Sequence, residues 1–295
     1  MSEVLTYIDA NLGRIRDELY DFLRIPSISA KAEHDADTRR SAEWLADRLR
    51  AAGLDVQIEE TPGHPVVLGE WRGAGEDAPT VLIYGHYDVQ PPEPLDEWAS
   101  PPFEPTERDG RIYARGSADD KGQLFMHVKA LEAHLASSGS LPVNVVVLAE
   151  GEEEVGSPNL VPFVDANLDR LACDVVLISD TGMFAEGLPS LGFSLRGLAY
   201  FEIRVSGARS DLHSGEYGGA VANPGNVLAR ILASLHDDEG RIAIAGFYDD
   251  VLDWDAETRA QIASLPHSDD EYREELGVDA LVGEEGFSTL ERLWI

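Results

Sequence analysis

Residues 79–91, PTVLIYGHYDVQP, decide the fold. The first half, Pro79 to Tyr84, is short, apolar and rich in β-formers, which predicts an interior strand. The second half puts His86 and Asp88 at or just past the carboxyl end of that strand. In open α/β sheets that edge is where ligands bind. Asp119, in RGSADDKG, brings a further carboxylate from a second loop.

Outward from this strand, the chain alternates helix and strand patterns. RSAEWLADRLRAA (40–52) places Ala42, Leu45, Leu49 and Ala52 on one helical face, and Gly53 supplies the stop. Val56 and Ile58 alternate with polar residues, and VVLGEW (66–71) predicts the neighbouring strand. A helix is expected from near Asp120, with Leu124, Val128, Leu131 and Leu135 facing inward. Val143 to Ala149 and Val175 to Ser179 are two further apolar strands. The pattern implies an α/β domain over 1–187: a mostly parallel sheet covered by helices. Residues 188–295 read as a second, incomplete α+β domain. It contains a long alternating strand, LRGLAYFEIRVSG (195–207), and a helix capped by Asn223 and opened by Pro224.

Composition narrows the function. No stretch approaches the roughly 20 apolar residues of a membrane span, and the amphipathic N-terminal helix pattern lacks the apolar centre of a secretory signal. The single cysteine, Cys173, fits a reducing cytosol and reads as a small buried hydrophobe. A cytoplasmic protein is expected. The formal charge of −32 is spread along the chain, which argues against nucleic acid as a partner. Adaptation to high salt and an ordinary acidic enzyme both account for such a surface.

Acidic or imidazole clusters follow the apolar strands in succession: His86 and Asp88, Asp119 and Asp120, Glu152 to Glu154, and Asp180. A solvated charge is the ordinary reading of any one of them. Carboxylates converging on one sheet edge repel one another, however, and a pair of divalent cations is the simplest counter-charge. One histidine among several carboxylates suits zinc, or manganese at the harder end. His34, His64, His127, His134, His236 and His267 match no motif and read as surface or packing residues.

GHYDVQP, ARGSADDKG, EGEEEVGS, LISD and DLHSGEYGG together resemble the dinuclear metallopeptidase family of carnosinases, carboxypeptidase G-type enzymes and aminoacylases, most closely its carnosinase-like dipeptidase branch. The resemblance implies a hydrolase-like catalytic domain with a lid and dimerisation domain, and two divalent ions, zinc first, with manganese or cobalt possible. Asp119 would bridge the metals, His86 and Asp180 would complete one site, and Glu154 would serve the other. Glu153 would be the general base, and Asp88 would hold the His86 tautomer. His213 would stabilise the oxyanion, in a homodimer often across the subunit interface. Asp120 would cap its helix, and Glu152 would be solvated charge. The implied reaction is hydrolysis of a dipeptide or short peptide amide bond. The rivals are N-acyl-amino-acid deacylation and a catalytically inactive metal- or peptide-binding fragment. The family pattern has a final histidine ligand and closing strands after the second domain, so a fragment or truncated product is expected.

Overall fold

The computed structural model describes residues 2–192 and 194–294. The chain divides into two compact units, Met1–Ser190 and Leu191–Ile295.

The first unit is built on a five-stranded sheet in the order β1-β2-β6-β3-β7. Its strands are β1 (Asp55–Glu59), β2 (Val66–Trp71), β3 (Thr80–His86), β6 (Asn144–Glu150) and β7 (Val175–Ile178), while β4 (Thr106–Arg108) and β5 (Arg111–Tyr113) form a separate ribbon. The sheet is mixed: β1, β2 and β6 pair antiparallel, whereas β6, β3 and β7 run parallel, with His86 in register with Glu150. Side-chain alternation along the strands makes two cores. Val67, Ile83, Val145 and Val147 face α1 (Ser2–Leu23), α2 (Asp35–Ala52) and α3 (Lys121–Ser138). Leu68, Leu82, Val146 and Leu148 face α4 (Leu160–Ala166) and α5 (Leu168–Leu171). Apolar residues on both faces are what strands covered on both sides require. Because β6, β3 and β7 are parallel, their carboxyl ends share one edge. The loops leaving that edge carry His86, Glu150 to Glu154 and Asp180.

Helix α3 delivers Leu124, Val128 and Leu131 to the core, as its periodicity predicts, and Gly139 ends it in a left-handed conformation. Cys173, expected to be buried, is exposed. It lies just before β7, an outer strand of the sheet whose Val175 and Val176 are themselves half-exposed.

The second unit contains α6 (Ser214–Tyr217), α7 (Pro224–Ala233), α8 (Ala256–Ala263), α9 (Asp269–Leu276) and α10 (Thr289–Arg292). Asn223 caps α7 by accepting from the backbone N–H groups of Gly225 and Asn226, with Pro224 opening the helix. The strand expected over 195–207 does not form among the described residues: Leu195, Leu198, Tyr200 and Phe201 are each more than three-quarters exposed. Alternation selects which side chains share a face, but a strand also needs a second backbone to pair with. The described residues of this unit provide only isolated bridges.

Helices α1 and α3 are joined by a charge cluster in which Lys129 lies between the carboxylates of Glu18 and Glu132, and Arg14 reaches both acids. Removing the buried cation leaves two acids facing each other, compensated by the half-exposed Arg14 and, at Glu18, by Arg48 3.5 Å away. Lys129→Met is expected to cost about 3 kcal/mol, read as a lower urea midpoint with an unchanged far-ultraviolet spectrum. A midpoint equal to that of the native chain would show that the cluster contributes nothing to stability.

Candidate metal centre

His86 is the last residue of β3, and its side chain is fully buried. Nδ1 turns toward Asp88, 3.1 Å from the backbone carbonyl and 3.3 Å from Oδ1. Nε2 turns the other way, 3.1 Å from Asp119 Oδ1 and 3.6 Å from Asp180 Oδ2. His86, Asp119 and Asp180 thus converge as one group of donor atoms, and His86, Glu153 and Glu154 as another, each within 4.8 Å. The imidazole is common to both.

The acids come from three separate places in the chain. Asp119 ends the loop before α3 and is joined to Asp120 by a cis peptide bond. Glu153 and Glu154 occupy a short 3₁₀ turn just past β6, and Asp180 follows β7. The end of β6 is tied down through Glu150, which accepts from the Tyr84 hydroxyl (2.6 Å) and the Ser157 hydroxyl (2.8 Å). Glu154 is held by Gln90, whose backbone N–H and side-chain amide donate to its two carboxylate oxygens at 3.2 and 2.7 Å. Asp88, fully buried, accepts at Oδ2 from Ser29 Oγ (2.6 Å) and from the Glu154 backbone N–H (3.2 Å).

Two expectations change. Asp120 occupies the N-cap position of α3 but makes no side-chain cap. Its Oδ2 accepts instead from the His86 backbone N–H at 3.2 Å, because the carboxylate is turned toward the end of β3. Glu152 is buried and not solvated, accepting from Asn159 Nδ2 at 2.8 Å. His213 belongs to the second unit. There it is exposed and caps α6, its Nδ1 accepting from the Gly215 N–H at 3.0 Å.

The first unit also uses residues that reading the sequence did not single out: Ser29, Gln90, Tyr84, Glu150 and Ser157. The one available signal was the placement of serines in IPSIS (25–29), directly after a helix and among apolar residues.

Electrostatics show a centre short of positive charge. Burial alone would lower the His86 pKa, but the carboxylates of Asp88, Asp120 and Glu153 push it up to about 10. Burial, aided by Asp180 and Asp119 and opposed by His86, pushes Asp120 up to about 7. Burial likewise raises Glu153 and Glu154, with neighbouring carboxylates adding to it. The Asp88 and Asp120 Oδ1 atoms are buried without a hydrogen-bond partner among the described residues. One imidazole and several carboxylates with too few counter-charges fit divalent cations, and the donor types suit zinc or manganese.

The proton bookkeeping of the metal-free protein follows from these shifts. Asp120, Glu150, Glu153, Glu154 and His86 all bind protons more tightly folded than unfolded. The folded state therefore carries the extra protons, and the stability these groups contribute is fully present below their ordinary pKa values and is lost as pH rises, for Asp120 through about 7 and for His86 through about 10. His127, whose pKa burial lowers, acts the other way as pH falls below its ordinary value. The lowered carboxylates, such as Glu18 and Glu132, act at more acid pH, and the buried Lys121, pushed down to about 7, acts above that value. Chelator-treated protein is expected to melt at a lower temperature at pH 7 than at pH 5, and saturating zinc should reverse the order, since ions bind the deprotonated acids. A metal-free melting temperature that climbs over this interval would contradict the electrostatic reading.

A sequence profile for peptidase family M20/M25/M40 matches residues 82–276. The cysteinylglycine-S-conjugate dipeptidase of Corynebacterium striatum is 36% identical over 249 residues, covering 84% of this chain and 54% of that protein. The Beta-Ala-His dipeptidase of Homo sapiens is 31% identical, covering 100% of this chain and 61% of that protein. The solved structure of the dipeptidase Dug1p from Saccharomyces cerevisiae superposes with a TM-score of 0.76 at 28% identity, over 96% of this chain and 62% of that one. The chain thus spans between about half and two thirds of the length of these relatives. The α/β fold is the one they share, and the profile covers well over half of these residues. The chain belongs to peptidase family M20/M25/M40.

Proposed function

We propose that this chain carries the metal centre of a dipeptidase that hydrolyses the amide bond of a dipeptide or short peptide. The carrying observation is the pair of donor groups that share His86, with Glu153 in one of them. The named activities of the similar proteins, dipeptidases acting on Cys-Gly conjugates and on Beta-Ala-His, favour peptide substrates over N-acyl amino acids.

His86, Asp119 and Asp180 would hold one ion and Glu154 the other, with Asp119 between them. The Asp119 carboxylate is near enough to Glu154 to help raise its pKa. Bound zinc, or manganese or cobalt in its place, would supply Lewis acidity, polarising the scissile carbonyl and lowering the pKa of water toward about 7. Glu153 is the proposed general base. Burial and the neighbouring carboxylates raise its affinity for a proton, so it can take one from the attacking water and return it to the leaving amine. Asp88 keeps the His86 ring turned so that Nε2 faces Asp119 and Asp180. His213 is the proposed donor to the oxyanion, and a homodimer, in the cytoplasm, is the proposed assembly.

Dipeptide hydrolysis should appear with added zinc or manganese and vanish on chelation. Glu153→Gln should lower kcat by a factor of about 10²–10⁴ while zinc affinity is largely kept; turnover surviving that change would remove Glu153 from the base role. His213→Ala should lower kcat by a factor of about 10²–10³ with a smaller effect on KM, and an unchanged kcat would take His213 out of the mechanism.

A further inference from the structure

We infer that Ser29 is a positioning residue for the metal centre, acting through Asp88; the inference rests on the metal-centre reading above. Asp88 touches both the His86 ring and the backbone of the turn that carries Glu153 and Glu154, away from their metal-facing atoms. Its Oδ1 faces the His86 ring, and its Oδ2 receives the backbone N–H of Glu154. The rotation of this carboxylate therefore sets the His86 ring and the turn carrying Glu153 and Glu154 relative to each other. Oδ1 makes no hydrogen bond among the described residues and meets the His86 ring, Nδ1 lying 3.3 Å away, so the hydrogen bonds that fix the rotation are those at Oδ2. The shorter of the two is from the Ser29 hydroxyl, 2.6 Å from Oδ2 against 3.2 Å for the Glu154 N–H, within the range of a short bond to a charged acceptor. A serine hydroxyl has one proton to donate, and here it goes to Asp88.

Ser29 can impose that geometry because its own segment is fixed. The Ser27 hydroxyl donates to the Tyr87 carbonyl (2.6 Å), and the Val89 N–H donates to the Ser27 carbonyl (2.9 Å), flanking Asp88 on both sides. The buried Lys121 ammonium donates to the Phe22 and Ile25 carbonyls at 3.0 and 2.7 Å, over the Phe22 ring. Lys121 opens α3, directly after Asp119 and Asp120. The segment 22–29 is thus fastened to the loop after β3 and to the start of α3, the two places from which His86 and Asp119 come.

The test is zinc affinity of the whole chain, measured by competition with a chromophoric chelator. Ser29→Ala should weaken zinc binding about 10–100-fold. Ser29→Thr, which keeps the hydroxyl, should restore most of it. Ser41→Ala, which removes another buried hydroxyl donating to the Tyr87 carbonyl, should leave affinity unchanged. In an Asp88→Asn background, Ser29→Ala should add no more than about a twofold change, because the group it acts through is already altered. Native affinity in Ser29→Ala, or equal and independent losses from Ser29→Ala and Asp88→Asn, would overturn the inference and leave the metal-centre reading intact. Absence of zinc binding by the unchanged chain would overturn both.

Discussion

The first unit is organised around a concentration of like charge that its own topology creates. Strands β6, β3 and β7 run parallel, so the loops after them open on one edge, and those loops are acidic. The apolar faces that stabilise the sheet also reduce solvent screening at that edge. Two like charges about 4 Å apart cost about 4 kcal/mol at the effective dielectric of a protein surface, and less in open water. His86 pulled far above its ordinary pKa and Asp120 pushed up beside it are two expressions of this one imbalance. A fold that brings such groups together without cations is working against itself, and the fold tolerates this because α3 and the two cores hold the edge in place.

The orienting contacts fall on three of the acids, Glu154, Glu150 and Asp88. Gln90 holds Glu154, Tyr84 and Ser157 hold Glu150, and Asp88 faces the His86 ring while taking the Glu154 N–H. These supports come from the strand ends and from the segment after α1, and they fix side chains that a solvated carboxylate would leave free to turn. A site of this kind is prepared before a ligand arrives.

Strands β3 and β6 and helix α3 were legible because their apolar periodicity is strong and local. His86, Asp119, Glu153, Glu154 and Asp180 were legible as candidates because each follows or adjoins such a run. Ser29 and Gln90 were not, since their partners lie 59 and 64 residues away and no local pattern records a remote hydrogen bond. Glu152 and Cys173 were misread for the same reason: burial is decided by neighbours such as Asn159, or by a place beside an outer strand, and not by the adjoining residues. The alternation of 195–207 was real as a pattern, yet a pattern does not contain the second backbone that makes a strand.

That uncovered run has a consequence for the chain in solution. Leu195, Leu198, Tyr200 and Phe201 present β-forming apolar surface to water, and among the described residues no strand pairs with their backbone. At low ionic strength the charge of −32 keeps copies apart. Added electrolyte shortens the range of that repulsion while leaving the apolar attraction in place, so self-association of these residues should be a salting-out phenomenon, strongest where the electrostatic barrier is thinnest.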